Sequence, residues 1–214
     1  MRHFVAVALL ACGVVVGPQS VDARVADKNF DSAAYHAEIL DNSLVQNLQG
    51  PEIPKKQVPV IEAYQKNVAL ALKKRGYDVE LMRDRQIVVV TIQASALFNA
   101  GETNLSPDAG TKLSGVAEYL KVPDKYKILV VAHSDDTGSE TFLHQITDRR
   151  SDAVADWLVA HQVPSNNIVP YGLGADEPRK DNSSRAGRDA NRRVEIYMVP
   201  GPSMISLAKS GKLR

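Results

Sequence analysis

Residues 126–161 read YKILVVAHSDDTGSETFLHQITDRRSDAVADWLVAH, and this stretch decides the fold. It opens with a nearly continuous apolar run, Ile128–Val131, which is typical of a strand that is buried on both faces. A polar loop from His133 to Gly138 follows. The residues after this loop have the apolar spacing and the length of a long helix that ends near His161. A buried strand, a polar loop and a helix in this order indicate an α/β fold.

The flanking sequence supplies further strands and helices. Residues 77–82 and 86–92 alternate as strands do, and the polar turn between them predicts a hairpin. Ser106 and Pro107 are a favourable cap and first residue for a second helix. Further helices are predicted at 60–75 and 204–208, further strands at 168–172 and 194–198, and a long polar loop at 174–189. We therefore expect an α/β sandwich, β-α-β-α-β-β, with helices packed on a mixed sheet and an N-terminal helical extension.

The predicted organisation has five parts. They are an export signal at residues 1–23, a linker or uncertain N-terminal segment at 24–56, a helix at 57–76, the main domain at 77–200 and a tail at 201–214. The segment 24–56 shows no clean apolar face, and prolines interrupt its second half.

The first residues predict export from the cytoplasm to the periplasm of a Gram-negative bacterium. Arg2 and His3 precede an apolar run, Phe4–Val16, which is shorter than the roughly twenty residues needed to span a bilayer. Cleavage after Ala23 is the preferred interpretation, because small or modest residues stand before it. The alternative is a lipoprotein signal with a lipid on Cys12, which would be the chain's link to a membrane.

Composition excludes several classes of function. The chain has 26 Lys and Arg against 25 Asp and Glu, interspersed along its length, so it lacks the basic stripe of a nucleic-acid-binding protein. Its only cysteine is Cys12, which excludes an intrachain disulfide and a thiolate metal site. His133, Asp135 and Asp136 lack a second set of metal ligands, and Ser139 lacks the surroundings of a nucleophile. The sequence predicts no catalytic residue, no metal, no cofactor and no enzyme.

Arg150 is the informative charge in the long predicted helix. At about 100° per residue it falls within the apolar stripe of that helix, whose members are Phe142, Ile146, Ala153 and Trp157. A guanidinium on the core side of a helix needs a partner, because its desolvation is costly. Asp135 and Asp136 are the nearest plausible carboxylates. Two interpretations stay open, a structural ion pair and a ligand site in the loop after a central strand.

An Asp and an Arg held close together at a helix N-terminus suit a ligand that carries both an ammonium and a carboxylate. The carboxylate of Asp135 accepts from the ammonium, and the guanidinium of Arg150 forks onto the ligand carboxylate. Backbone N–H groups near Thr137 and Gly138 can assist. Such zwitterionic ends belong to amino acids.

Residues 77–200 resemble the OmpA C-terminal domain family, which includes the Pal lipoproteins and the flagellar stator protein MotB. Five pieces carry the resemblance in the family's order and spacing. They are Leu97–Asn99 with Leu105–Pro107, His133–Gly138, Ile146–Ser151, Tyr171–Gly174 with Pro178, and Gly187–Arg188 with Asn191–Ile196.

The resemblance implies non-covalent binding of peptidoglycan, at the diaminopimelate end of its stem peptide, to anchor or space the wall relative to the outer membrane. Asp135 and Arg150 fall on the family's ligand-contacting positions, and Thr137 falls on a supporting loop position. Phe98 and Asn99 stand in one of the matching pieces, and they too are expected to contact the ligand. Arg193 is expected either near the pocket or in a structural role.

The sequence departs from the family in three places. Ser134 and Ser151 are mild changes, whereas Leu143 stands where the family usually has an asparagine, so one polar contact to the ligand is in doubt. The alternative function is therefore an envelope protein–protein interaction module that keeps the fold but binds peptidoglycan weakly. A further partner in the envelope or the outer membrane is compatible with either function.

Overall fold

The computed structural model describes residues 50–214. The predictions for the export signal, for cleavage after Ala23 and for a lipid on Cys12 lie outside the described residues. So does most of the segment 24–56.

The centre of the described region is a five-stranded sheet. Its strands are β1 (Asp78–Met82), β2 (Ile87–Gln93), β3 (Tyr126–His133), β4 (Ile168–Gly172) and β5 (Arg193–Pro200). They lie in the order β1-β2-β5-β3-β4, and only β3 and β4 are parallel. The mixed sheet and the initial hairpin confirm the α/β prediction, and β3 has neighbours on both sides, as its apolar run predicts.

Four of the five helices in the described region pack apolar side chains against one face of this sheet. The helices are α1 (Val58–Lys74), α2 (Ala109–Leu120), α3 (Glu140–Ala160), α4 (Arg185–Asn191) and α5 (Pro202–Lys209). Alternate residues of the central strands, such as Ile128, Val130 and Ile196, join side chains of α1, α2, α3 and α5 in one hydrophobic core. Among residues 50–214, none of the helices is long and apolar enough to cross a membrane.

Three local predictions are wrong for identifiable reasons. The second helix begins at Ala109, where Asp108 is the N-cap residue and no side chain caps the helix, because Ser106 instead accepts the Ala109 N–H through its backbone carbonyl. The predicted loop 174–189 contains the start of α4 at Arg185, capped by the hydroxyl of Ser184. Phe142 belongs to no buried stripe, because it lies in the first turn of α3 with 51% of its surface exposed.

The strand register brings four strand ends to the same end of the sheet. Arg193, the first residue of β5, is opposite both Gln93 at the end of β2 and His133 at the end of β3. Gly172 at the end of β4 lies beside Ala132 of β3. The loops that follow β2, β3 and β4, together with the residues that precede β5, therefore surround a common region.

Candidate functional site

The loop after β3 holds Asp135 in a fixed orientation. The backbone N–H of Thr137 donates to Asp135 Oδ1 at 2.9 Å, and the Ser134 N–H donates to the carbonyl of Gly174 at 2.6 Å. Ser139 then caps α3, since its hydroxyl accepts from the Phe142 N–H at 3.3 Å. The carboxylate of Asp135 is buried, while the next residues of the loop are exposed. The loop thus offers an oriented carboxylate at the N-terminal end of a helix.

Leu143 lies beneath this loop and is buried. Gly138 has a φ of +145°, and a Cβ at that position would lie 3.3 Å from Leu143 Cδ2. The leucine therefore supports the loop by packing and presents no polar atom to a ligand. This position agrees with the expectation from the sequence that residue 143 makes no polar contact with a ligand.

The charged partner of Asp135 is Arg192, and the predicted ion pair between Arg150 and a loop aspartate does not form. Arg192 Nη1 contacts Asp135 Oδ2, and Arg192 Nη2 contacts Asp189 Oδ1. Arg192 is the residue between α4 and β5, so the strand register carries it to the end of β3. The prediction overlooked it because the two arginines at 192 and 193 are adjacent, and only the start of β5 tells which of them faces the loop.

Arg150 is held by other contacts. Its Nε donates to the Glu102 carbonyl at 3.0 Å, and its guanidinium lies over the Phe98 ring, 5.0 Å from the ring centroid. The residue is 7% exposed, and burial lowers the pKa of its guanidinium. Within residues 50–214 no carboxylate forms an ion pair with it. Arg150 is thus a buried, oriented cation whose second and third nitrogens have no protein partner in the described region.

The loop after β2 provides the support for Arg150. Phe98 is 3% exposed, so its ring serves as a base beneath the guanidinium and offers little open surface. Phe98 also pairs with Leu105 in an isolated antiparallel bridge, which closes the loop between them. Asn99 is exposed, and its carbonyl accepts from the Glu102 N–H at 3.1 Å. Asn99 thereby shapes the turn that delivers the Glu102 carbonyl to Arg150.

Arg193 belongs to a buried cluster of charges. Its Nε donates to Glu195 Oε1 at 2.6 Å, and the Tyr197 hydroxyl donates to Glu195 Oε2 at 2.6 Å. Burial alone would raise the pKa of Glu195, but the neighbouring His133, Tyr197 and Arg193 hold that pKa far below its usual value. These contacts favour the structural role for Arg193 over a role at the pocket, because its guanidinium already has a buried carboxylate partner.

A half-buried carboxylate, that of Asp148, joins α3 to β4. Asp148 Oδ1 accepts from the Gly172 N–H at 3.0 Å. Burial, and after it the nearby Asp152, raises the pKa of Asp148 to about 7, although the hydrogen bond from Gly172 lowers it. Close approach of the two elements requires glycine, because a Cβ on Gly172 would collide with the backbone of Asp148.

The chemistry of this region is that of binding. In the described part of the chain, no three His, Cys, Asp or Glu side chains cluster in a way that could hold a metal ion. The loop after β3 presents an oriented anion at Asp135, and α3 presents an oriented cation at Arg150, which the loop after β2 supports.

Comparisons with known proteins agree with this architecture. Residues 97–192 match the model of the OmpA family. The chain is 31% identical over 128 residues to the probable lipoprotein YiaD of Escherichia coli, covering 60% of this chain and 58% of that protein. It is 38% identical over 101 residues to the peptidoglycan-binding protein ArfA of Mycobacterium tuberculosis, covering 47% and 31%.

One solved structure resembles the fold over most of the described region. The cell wall anchor of the type VI secretion system (T6SS) of Pseudomonas aeruginosa superposes with a TM-score of 0.53 at 26% identity, and the match covers 70% of this chain and 99% of that one. The chain thus covers 99% of that solved structure but only 58% of the length of YiaD.

Proposed function

Residues 97–192 belong to the OmpA family, and from this premise we propose that the chain binds peptidoglycan non-covalently, through the diaminopimelate end of the stem peptide. The side chain of diaminopimelate ends in an ammonium and a carboxylate on one carbon. This is the zwitterion that an oriented aspartate and an oriented arginine fit.

The environment of Arg150 is the observation that carries the proposal. A guanidinium that is 7% exposed has lost much of its hydration, and among residues 50–214 it gains only the Glu102 carbonyl and the Phe98 ring in return. Proteins rarely leave a buried cation without a carboxylate. A ligand carboxylate that accepts a bidentate hydrogen bond from the remaining nitrogens supplies the missing partner.

Asp135 takes the ammonium of the ligand. Its Oδ1 is fixed by the Thr137 N–H, so the second oxygen, Oδ2, is the one oriented toward a cation. Thr137 and Gly138 lie at the exposed N-terminal side of α3, where the positive end of the helix favours a nearby negative group, and the Thr137 N–H itself is used to hold Asp135. Phe98 and Asn99 act indirectly, because they hold the arginine and its carbonyl partner in place.

The relatives support the same ligand and compartment. ArfA is named for peptidoglycan binding, and the secretion-system protein is a cell wall anchor. We assign this chain to the periplasm, at the cell wall and close to the outer membrane, with binding and no catalysis as its activity. Leu143 is buried under the loop and has no side-chain amide to offer. The chain therefore recognises the ligand mainly through its charged groups.

Co-sedimentation with purified peptidoglycan tests the proposal. The chain should sediment with walls that contain diaminopimelate, and at least tenfold less should sediment with walls that contain lysine at that position, because lysine lacks the second carboxylate and leaves Arg150 unpaired. Free meso-diaminopimelate should compete, whereas free lysine should not. Equal retention on both wall types would refute the proposed recognition while leaving the fold as described.

A further inference from the structure

Asp135 already has two partners within the protein. The Thr137 N–H donates to one carboxylate oxygen and Arg192 contacts the other. The Asp135 side chain is only 5% exposed, so an incoming ammonium has little free oxygen surface to approach. A ligand that uses Asp135 must therefore compete with the cation that the protein itself supplies.

The side chain of Arg192 is positioned so that a ligand can displace it from Asp135. Its side chain is 38% exposed, and its other arm contacts Asp189, which is itself 54% exposed at the end of α4. The backbone beneath it is fixed, because the Asn191 amide donates to the Lys180 carbonyl at 2.7 Å and its oxygen accepts from the Lys180 N–H at 2.9 Å. A long side chain on a fixed backbone can leave Asp135 and keep Asp189 without any change in the fold.

We propose that Arg192 is an internal competitor for the ligand ammonium, which occupies Asp135 when no ligand is present and remains on Asp189 when the ligand binds. The inference rests on the proposed function, because it concerns how the same Asp135 receives diaminopimelate. Arg192 then sets affinity and specificity. A ligand with one cationic group but no carboxylate for Arg150 gains too little from the exchange to displace the arginine.

The size of the effect follows from the populations of the two Arg192 positions. The apparent dissociation constant is the intrinsic one divided by the fraction of molecules in which Asp135 is free. For a partly exposed ion pair, removing the competitor should raise the affinity about fivefold, which corresponds to roughly 1 kcal/mol. A purely structural Arg192 predicts the opposite sign, because removing it would loosen the loop that holds Asp135.

Calorimetric titration of the full chain with meso-diaminopimelate, at low salt, tests the inference. Arg192→Gln should bind about fivefold more tightly than the unmodified chain. Arg185→Gln is the matched control, because Arg185 is 91% exposed, contacts Asp189 across one helical turn and has no recorded contact with Asp135. It removes the same charge from another arginine that contacts Asp189 and should leave the affinity within about twofold.

The outcomes distinguish a failure of the competitor role of Arg192 from a failure of the proposed function. If the unmodified chain binds and Arg192→Gln binds equally well or more weakly, the competitor role is refuted and the proposed function stands. If the unmodified chain and both variants fail to bind, the proposed function is itself wrong. Arg192→Lys checks folding and charge together. It keeps one cation but cannot bridge both aspartates, so its affinity should lie between those of the unmodified chain and Arg192→Gln.

Discussion

Replacing Arg150 with alanine separates a binding residue from a structural one. A structural arginine that neutralises a buried aspartate would leave that carboxylate uncompensated when it is removed, at a cost of roughly 3–5 kcal/mol. Arg150 has no such partner among residues 50–214, and Asp135 keeps Arg192. The variant should therefore fold, and the loss should appear in binding.

The expected cost to stability follows from the contacts that are removed. The hydrogen bond to the Glu102 carbonyl contributes about 1 kcal/mol and the contact with the Phe98 ring about 0.5–1 kcal/mol. Relief of the buried charge, whose pKa is lowered by burial, offsets part of this loss. Arg150→Ala should thus lower the free energy of unfolding by about 1–2 kcal/mol, or the melting temperature by about 3–6 °C.

Thermal unfolding and wall sedimentation, measured on the same preparations, provide the assay. Arg149→Ala is the control, because Arg149 is the neighbouring exposed arginine and its loss changes the charge equally. It should unfold within about 0.5 kcal/mol of the unmodified chain and keep its binding. Arg150→Lys should fold normally and bind poorly, because an ammonium cannot fork onto a carboxylate.

Two results would contradict this reasoning. If Arg150→Ala sediments with diaminopimelate-containing walls as well as the unmodified chain does, Arg150 is not part of the binding site. A fall of more than about 8 °C in melting temperature, with binding retained in the cold, would return it to a structural role.

The remaining predictions concern the contact between α3 and β4. The pKa of Asp148 is raised to about 7, so ionising this carboxyl in the folded state is unfavourable, and the free energy of unfolding should fall as the pH rises from about 4 to about 7. Asp148→Asn keeps an acceptor for Gly172 and should remove this slope in urea titrations, gaining about 1–2 kcal/mol at pH 8 after allowance for partial exposure; equal slopes would count against the prediction. Gly172→Ala should lower the free energy of unfolding by more than about 3 kcal/mol, because its Cβ collides with the Asp148 backbone, whereas Gly110→Ala in α2 should not destabilise. Comparable stability of the two alanine variants would show that α3 and β4 can separate at little cost.

Strong local patterns predicted most of the fold. The apolar run Ile128–Val131 identified the strand that the structure places between β5 and β4, and the turn Arg83–Arg85 identified the hairpin. In each of these segments the residue pattern and the tertiary environment favour the same structure.

The features that the sequence did not predict depend on polar contacts between distant residues. Helix α4 buries only Gly187 and Asn191, so it has no apolar stripe, and the amide of Asn191 fixes it to Lys180 instead. The choice between Arg192 and Arg193 depends on a single residue of strand register, since neighbouring residues of a strand point to opposite faces. A partner for Asp135 that lies 57 positions away is not encoded in any local pattern.

The position of β5 in the sheet has a consequence for how the molecule is made. The last strand to be synthesised lies between β2 and β3, so until it arrives the sheet exists as two separate pairs, β1-β2 and β3-β4. Each pair has an open, apolar edge, which is prone to pair with other chains. Asp135 also lacks Arg192 until that moment. During stepwise synthesis the chain thus exposes its aggregation-prone edges and an incomplete site for the same interval, and the pairing of β5 ends both at once.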